Sequence, residues 1–290
     1  MTETVTRSVR VGLIGSGIGA SRTPAMHMHE GRMNGIDYRY DRFDLSMLGV
    51  GVEALPQLMD QAEKDGFAGL NITYPCKQAA IQFVDELSPD AAALGSINTV
   101  TFKNGRRTGY NTDWWGFSQG FRRALPDAPV DNAVLIGAGG AGVAVAHALA
   151  TMGARNVQVF DLDAARTEAL IAQLAPRHEA CRFVSGGDIA AALEVTDGLA
   201  HATPTGMAKH PGVPLDTGLL TPRHWVADIV YFPLQTQLLV EAAKRGCSIV
   251  NGGGMAVFQA VGAFELFTGL TPNVDRMIEH FGTLGEGGGI

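Results

Sequence analysis

One glycine-rich turn constrains this chain more than anything else in it. Residues 132–142 read Asn-Ala-Val-Leu-Ile-Gly-Ala-Gly-Gly-Ala-Gly. The apolar run 133–136 is short enough for a buried parallel strand, Gly137, Gly139 and Gly142 satisfy G-x-G-x-x-G, and residues 143–152 continue as a helix. The missing side chains carry the chemistry. One glycine makes the tight turn and another lets the backbone approach a ligand, so amide N–H groups at the helix start point at a pyrophosphate that the helix dipole also favours. Glycine supplies 37 of the 290 residues, so a chance match, serving only tight packing, is the alternative and context has to decide. Roughly 20 residues on, the spacing of a dinucleotide fold, comes Asn156-Val-Gln-Val-Phe-Asp161, a second apolar run ending in an acceptor for a ribose hydroxyl.

Further apolar runs near Val134, Val157, Phe183, Leu199, Val226 and Ile249, with helical patterns between most of them, predict a doubly wound parallel sheet over residues 120–252. Residues 255–267 predict a final apolar helix, with Gly252-Gly-Gly254 ahead of it as a hinge or a close-approach turn. At 290 residues and 46% hydrophobic content, the chain has material for two cores. A net charge of −7 and a pI near 5.6 exclude the basic footprint of a nucleic-acid binder. Cys76, Cys181 and Cys247 are widely spaced and odd in number, which argues against a disulfide framework and a structural zinc site, and fits a reducing cytoplasm. The N-terminal residues carry an acid and no long apolar core, so neither a signal peptide nor a membrane anchor is expected. The longest apolar tract, 133–146, holds four glycines and fits strand plus helix better than a span of about 20 apolar residues. The tract Gly285-Glu-Gly-Gly-Gly-Ile290 is expected to fray.

The N-terminal half carries its own pattern. Residues 9–14 predict a strand running into Gly15-Ser-Gly-Ile-Gly19, and Pro24 marks the first turn of a helix to about Met33. Ser21 and Thr23, just ahead of it, suit either a cap or the grip on a substrate carboxylate. His27, His29 and Glu30 diverge on a helix, so no metal is expected. Residues 38–43 and 69–72 predict strands and 52–64 a helix. Pro75 predicts a further helix start, and Lys77 in its first turn opposes the helix dipole, which marks it for function rather than stability. Residues 95–101 predict a strand, Asn104-Gly105 a hairpin turn, and Asp113 a helix N-cap among Trp114, Trp115 and Phe117. A carboxylate in such partly dry surroundings and an ammonium facing it across a cleft could form an acid–base pair, though sequence alone does not pair them.

These residues carry a resemblance. Ser21-Arg-Thr-Pro-Ala-Met-His27, Asn71-Ile-Thr-Tyr-Pro-Cys-Lys77, Gly95-Ser-Ile-Asn-Thr-Val100, Asn111-Thr-Asp113, Gly137-Ala-Gly-Gly-Ala-Gly142, Ala202-Thr-Pro-Thr-Gly-Met207, Gln259-Ala260 and Ala263-Phe-Glu-Leu-Phe-Thr-Gly269 resemble motifs of the shikimate dehydrogenase and quinate/shikimate dehydrogenase family, in the same order. The resemblance implies an α/β chain with an N-terminal substrate domain (1–118), completed by C-terminal helices (255–290), and a Rossmann-type NAD domain (119–254), with the active site in the cleft between them. It implies that Ser21 and Thr23 hold the substrate carboxylate, that Thr73, Asn98, Tyr231 and Gln259 bond its hydroxyls, and that Lys77 and Asp113 are catalytic. Gly137, Ala138, Gly139, Gly140, Ala141 and Gly142 become the phosphate loop, Asp161 and Arg166 meet the adenosine ribose, and Thr203, Pro204, Ile229 and Gly252 line the rest of the cofactor path. The chain departs from the family pattern at His201, often asparagine there, and at Cys76, Gly253 and Phe258.

The combined expectation is an oxidoreductase interconverting shikimate and 3-dehydroshikimate, with NAD preferred and NADP weaker because acids, Asp161 and Asp163, follow the second strand where NADP users tend to carry Asn-Arg-Thr. Quinate is the close rival substrate, and an aminoshikimate-type substrate lacks an identifiable acceptor for its amine. A nucleotide-sensing protein without turnover is the reading from another class. Lys77 and Asp113 together argue against it. The sequence leaves monomer and homodimer both open.

Overall fold

Alternation along single strands decides both sheets. The computed structural model describes residues 7–285. The chain divides into two units, one holding the described residues up to Thr112 together with those from Gln259 onward, the other Asp113–Phe258.

The first unit runs β1 (Ser8–Gly15), α1 (Thr23–Met33), β2 (Asp37–Asp44), α2 (Leu45–Leu48), α3 (Leu55–Lys64), β3 (Gly69–Ile72), β4 (Glu86–Leu87), α4 (Pro89–Leu94), β5 (Thr99–Lys103) and β6 (Arg106–Tyr110). Its six-stranded sheet has the order β2-β1-β3-β5-β6-β4. Val9, Val11 and Leu13 of β1 enter one core with Tyr38, Tyr40, Phe264 and Phe267. Ile14 and the β3 residues Leu70 and Ile72 enter a second core with Leu55 and Met59 of α3. Side chains on a strand alternate between faces, so a strand apolar on both sides has to be covered on both. β5 and β6 are antiparallel and joined through Asn104 (φ 54°) and Gly105 (φ 71°), the left-handed pair that a two-residue hairpin demands.

The second unit runs α5 (Asp113–Ala124), β7 (Asn132–Ile136), α6 (Gly140–Thr151), β8 (Asn156–Phe160), α7 (Ala164–Leu174), β9 (Arg182–Ser185), α8 (Ile189–Val195), β10 (Gly198–His201), β11 (Trp225–Asp228), α9 (Gln237–Lys244), β12 (Ser248–Val250) and the start of α10 (Gly252–Thr268). The remainder of α10 and α11 (Val274–Thr283) return to the first unit. All strands of the second sheet are parallel, in the order β12-β11-β10-β7-β8-β9. Ala133 and Leu135 of β7 pack with Val145 and Leu149 of α6, whereas Val134 and Ile136 pack with Leu193 of α8 and Leu238 of α9. This is the Rossmann arrangement, doubly wound as the alternation predicts.

Four local expectations differ from the structure. No helix starts at Pro75: residues 73–78 are a turn, closed by Cys76 N–H to Thr73 O at 2.8 Å, and Lys77 O accepts from Ile97 N–H at 2.9 Å, which removes it from any helical ladder. Lys77 therefore lies ahead of a five-residue 3-10 helix (Ala79–Phe83), and the helix-dipole argument for it does not hold. Residues 95–98 are not strand, because Gly95 ends α4 in the left-handed conformation (φ 56°) and β5 begins at Thr99. Gly252-Gly-Gly254 is the first turn of α10 rather than a hinge. The close approach is real there, since a Cβ on Gly252 would collide with the Ile229 carbonyl. Finally, a boundary after residue 118 would cut α5, which packs whole in the second unit through Phe117 and Phe121. Residues 286–290 of the glycine tail lie outside the described residues. No helix among the described residues is long and apolar enough to cross a membrane.

Candidate functional site

In the first unit, one sheet edge gathers most of the polar residues singled out by sequence. β1 and β3 are parallel, β5 runs against β3 and β6 against β5. The ends of β1, β3 and β6 and the beginning of β5 therefore share that edge. Ser16 N–H donates to Tyr74 O and Thr73 N–H to Ile14 O, both at 2.9 Å, so the loop carrying Ser21 is stitched to the loop carrying Thr73 and Lys77. Asp44 anchors the first loop, accepting from Gly17 and Ile18 N–H at 2.9 Å. α1 starts at Arg22 with no side-chain cap, so neither the Ser21 nor the Thr23 hydroxyl serves there. Both side chains, like Thr73 and Lys77, are half-buried.

Asn98 at the mouth of β5 is buried and held by a chain of directed hydrogen bonds. Tyr40 OH donates to Asn71 Oδ1 (2.7 Å), Asn71 Nδ2 to Thr99 Oγ1 (3.0 Å), and Thr99 OH to Asn98 Oδ1 (3.0 Å). Thr112 N–H also donates to Asn98 Oδ1 (2.8 Å), while Asn98 Nδ2 donates to Thr112 Oγ1 at 2.9 Å. Two donors on Oδ1 fix which end of the amide is oxygen, so Asn98 keeps its NH2 as a donor. Thr112 OH reaches Gln259 O at 3.0 Å, which brings Gln259 to the same network. Sequence reasoning missed Tyr40, Thr99 and Thr112 as supports and read Asn71 only as part of a motif. A polar residue inside the apolar run Gly-Leu-Asn-Ile was the available signal.

The histidine and acid cluster of α1 does not converge. His27 is fully buried among Tyr38, Tyr40, Phe264 and Phe267, its Nδ1 at 2.9 Å from Tyr38 OH, and burial pushes its pKa down to about 3. His29 stacks on His280 at 4.1 Å between ring centres. Glu30 accepts from Arg276 Nε (2.8 Å) and Nη2 (2.6 Å), Asn273 N–H (2.8 Å) and Asn34 Nδ2 (2.8 Å). Burial alone would raise its pKa, yet these donors together hold it below the ordinary value.

In the second unit, strand order reverses between β7 and β10, and ligands of open parallel sheets bind outside the strand ends at such a point. Gly137 (φ 107°) turns the chain there, and a Cβ on it would sit 2.7 Å from Ala202 O. A Cβ on Gly142 would overlap the Gly137 carbonyl, so both positions require glycine. Gly139 and Gly140 instead have open space where a side chain would be, at the uncapped start of α6. The loop thus leaves its backbone bare towards solvent, a cradle that fits a pyrophosphate. Asp161 at the end of β8 accepts from Ala138 N–H (2.7 Å) through Oδ2 and from Asp163 N–H (3.0 Å) through Oδ1. Asp163 caps α7 at Ala165 N–H and lies 3.6 Å from Arg166 Nε, an exposed pair.

Thr203 and Pro204 follow β10, and Ile229 follows β11 with its N–H on His201 O at 3.1 Å. Gly252 packs on the Ile229 carbonyl. Tyr231 is exposed and belongs to this second unit. Asp113, the buried first residue of α5, belongs to it too, whereas Lys77 belongs to the first. Among the described residues, no group of three or more His, Cys, Asp or Glu side chains is placed to hold a metal ion.

Known proteins share this arrangement. Residues 13–100 match the family described as shikimate dehydrogenase substrate binding domain, and residues 252–280 match the shikimate 5'-dehydrogenase C-terminal domain. A shikimate dehydrogenase (NADP(+)) of Streptomyces avermitilis is 52% identical over 278 residues, covering 93% of this chain and 94% of the relative. A quinate/shikimate dehydrogenase (NAD(+)) of Corynebacterium efficiens is 47% identical over 273 residues, covering 93% and 96%. Among solved structures, the quinate dehydrogenase of Corynebacterium glutamicum in complex with NAD superposes with a TM-score of 0.91 at 45% identity, covering 96% of this chain and 100% of that one. The chain belongs to the shikimate dehydrogenase and quinate/shikimate dehydrogenase family of NAD(P)-dependent oxidoreductases.

Proposed function

We propose that this chain oxidises the ring hydroxyl of shikimate to the ketone of 3-dehydroshikimate, and catalyses the reverse reduction, with NAD preferred to NADP. The observation that carries the reading is the sheet edge of the first unit, where hydroxyls, an amide donor and the Lys77 amine stand on stitched loops. A carboxylated polyol presents the complementary groups. Ser21 and Thr23 hold its carboxylate at the uncapped start of α1, while Thr73, Asn98, Gln259 and Tyr231 bond its hydroxyls. Asn98 does so as a donor, given the orientation of its amide.

Bound at the Gly137–Gly142 loop, the nicotinamide dinucleotide supplies the two-electron acceptor for a hydride. The chain supplies geometry and proton management. Lys77 in its neutral form takes the proton of the hydroxyl whose carbon loses the hydride, and the Asp113 carboxylate stabilises the ammonium so formed. In the reverse direction Lys77 returns that proton to the carbonyl oxygen. Thr203, Pro204, Ile229 and Gly252 line the path of the dinucleotide.

Cofactor preference rests on Asp161. Its oxygens already accept two backbone N–H groups and retain lone pairs for a ribose hydroxyl. A 2′-phosphate would meet the same carboxylate with a repulsion of at most about 4 kcal/mol, for unit charges ~4 Å apart at an effective dielectric near 20. Arg166 forms an exposed pair with Asp163, worth about 1 kcal/mol or less, so it can turn towards a phosphate and offset part of this. Relatives of both cofactor names are similar to this chain, which makes the site rather than the family the source of the preference. The same relatives make quinate the rival substrate.

Lys77→Ala tests the mechanism. The expected result is a kcat lowered by roughly 10²- to 10⁴-fold with a smaller change in substrate KM. A kcat within a few-fold of the parent would remove Lys77 from proton transfer.

A further inference from the structure

Two buried groups take no part in the mechanism above, and they meet at neighbouring strand ends. His201 closes β10 and Asp228 closes β11, directly opposite each other in the parallel register. Both side chains are fully buried, with His201 Nδ1 3.0 Å from Asp228 Oδ1. Asp228 also accepts from Val230 N–H (3.0 Å) through Oδ1 and from Thr236 OH (2.7 Å) through Oδ2. Thr236 is in turn the N-cap of α9, accepting from Leu239 N–H. A carboxylate with these partners only accepts, so the imidazole carries its proton on Nδ1. In the neutral ring Nε2 is then an acceptor, and the atom it faces is Thr203 Oγ1, at 2.5 Å. The hydroxyl of Thr203 therefore points its hydrogen inward.

The consequence appears on the outer side of Thr203. Its oxygen also receives Thr205 N–H at 3.2 Å. Thr203 is partly exposed, beside Gly137 at the reversal of strand order, where its methyl lies 2.8 Å from the space a Gly137 side chain would take. With its only hydrogen engaged, the hydroxyl offers a ligand a lone pair and nothing else.

We propose that His201 and Asp228 are positioning residues that fix Thr203 as an obligate acceptor, so that this point of the cofactor path recognises an N–H or O–H donor of the dinucleotide. A carboxamide NH2 and a ribose hydroxyl both satisfy that chemistry, and an anionic phosphate oxygen does not. The inference rests on the dinucleotide reading given above and adds the polarity of one contact to it. It also accounts for His201, because the long imidazole spans from Asp228 to the Thr203 hydroxyl with one ring nitrogen on each.

The test is NADH binding without substrate, read by nucleotide fluorescence, in the parent, His201→Leu, Thr203→Val, the double variant and His201→Asn. Loss of one hydrogen bond to the dinucleotide weakens binding by up to about tenfold, so Thr203→Val and His201→Leu should each raise Kd about five- to tenfold. Because one acts through the other, the double variant should bind no more weakly than the weaker single. His201→Asn retains a donor for Asp228 but ends short of Thr203, and should weaken binding about as much as His201→Leu. His201→Phe carries the same test should His201→Leu not fold: the ring keeps the shape of the imidazole, offers Thr203 no acceptor and should weaken binding similarly. Parent-like binding by His201→Leu or His201→Phe, or losses in the double variant that multiply, would overturn the proposal alone. A parent that binds no NADH would overturn the dinucleotide reading with it.

Discussion

Ser21 precedes, and Thr23 opens, a helix that no side chain caps. In the proposed site their hydroxyls bond a charged acceptor, at about 1.5–3 kcal/mol each. Ser21→Ala should therefore raise the substrate KM by roughly 10- to 100-fold while leaving thermal stability close to the parent. An unchanged KM with a clear loss of stability would return Ser21 to a structural role. At this scale the sequence marks residues whose type is unusual for their place, such as the lysine after β3 and the acid after β8, and the roles proposed for them await these measurements. It is silent where contacts depend on register. That His201 faces Asp228 follows from the pairing of β10 with β11, and the Tyr40–Asn71–Thr99–Asn98 chain crosses three strands that are distant in sequence.

At the scale of elements, Glu30 joins α1 to α11 by accepting from Arg276, Asn273 and Asn34. Replacing it by glutamine keeps the shape and removes the charge. Glu30→Gln should destabilise the fold towards urea by about 2 kcal/mol at pH 7, the order expected for hydrogen bonds to a charged group. The pKa of Glu30 is lowered in the fold, so its contribution is complete above the unfolded value near 4.5 and is lost as pH falls through the folded value. The gap between the two proteins should therefore close in acid. A gap below about 0.5 kcal/mol at pH 7, or one that widens on acidification, would contradict the arrangement. Elements were legible wherever periodicity was strong. They were misread at 73–78 and 252–254, because proline and glycine announce a change of backbone without saying which partner captures it. Ile97 claims the Lys77 carbonyl in one case, and the Ile229 carbonyl excludes a side chain in the other.

Across the whole molecule, the second sheet was readable because all its strands are parallel and its central strands β7, β10 and β11 are apolar on both faces, which leaves few topologies. The order of the first sheet was not. Its β5 runs against β3 and its β6 against β5, and nothing in a single strand's composition states which neighbour it will meet or in which direction. Both sheets end in loops whose chemistry converges on one claim: hydride exchange between a hydroxylated ring acid and a dinucleotide, with Asp161 selecting the form that lacks a 2′-phosphate. The most direct measurement is kcat/KM for shikimate and for quinate with NAD and with NADP, in the parent and in Asp161→Asn. The account predicts turnover of shikimate by the parent with NAD ahead of NADP by at least about tenfold, and a gain for NADP in the variant as the repulsion is removed. Equal use of the two cofactors by the parent, no gain in the variant, or no reduction of either cofactor with either substrate would contradict it.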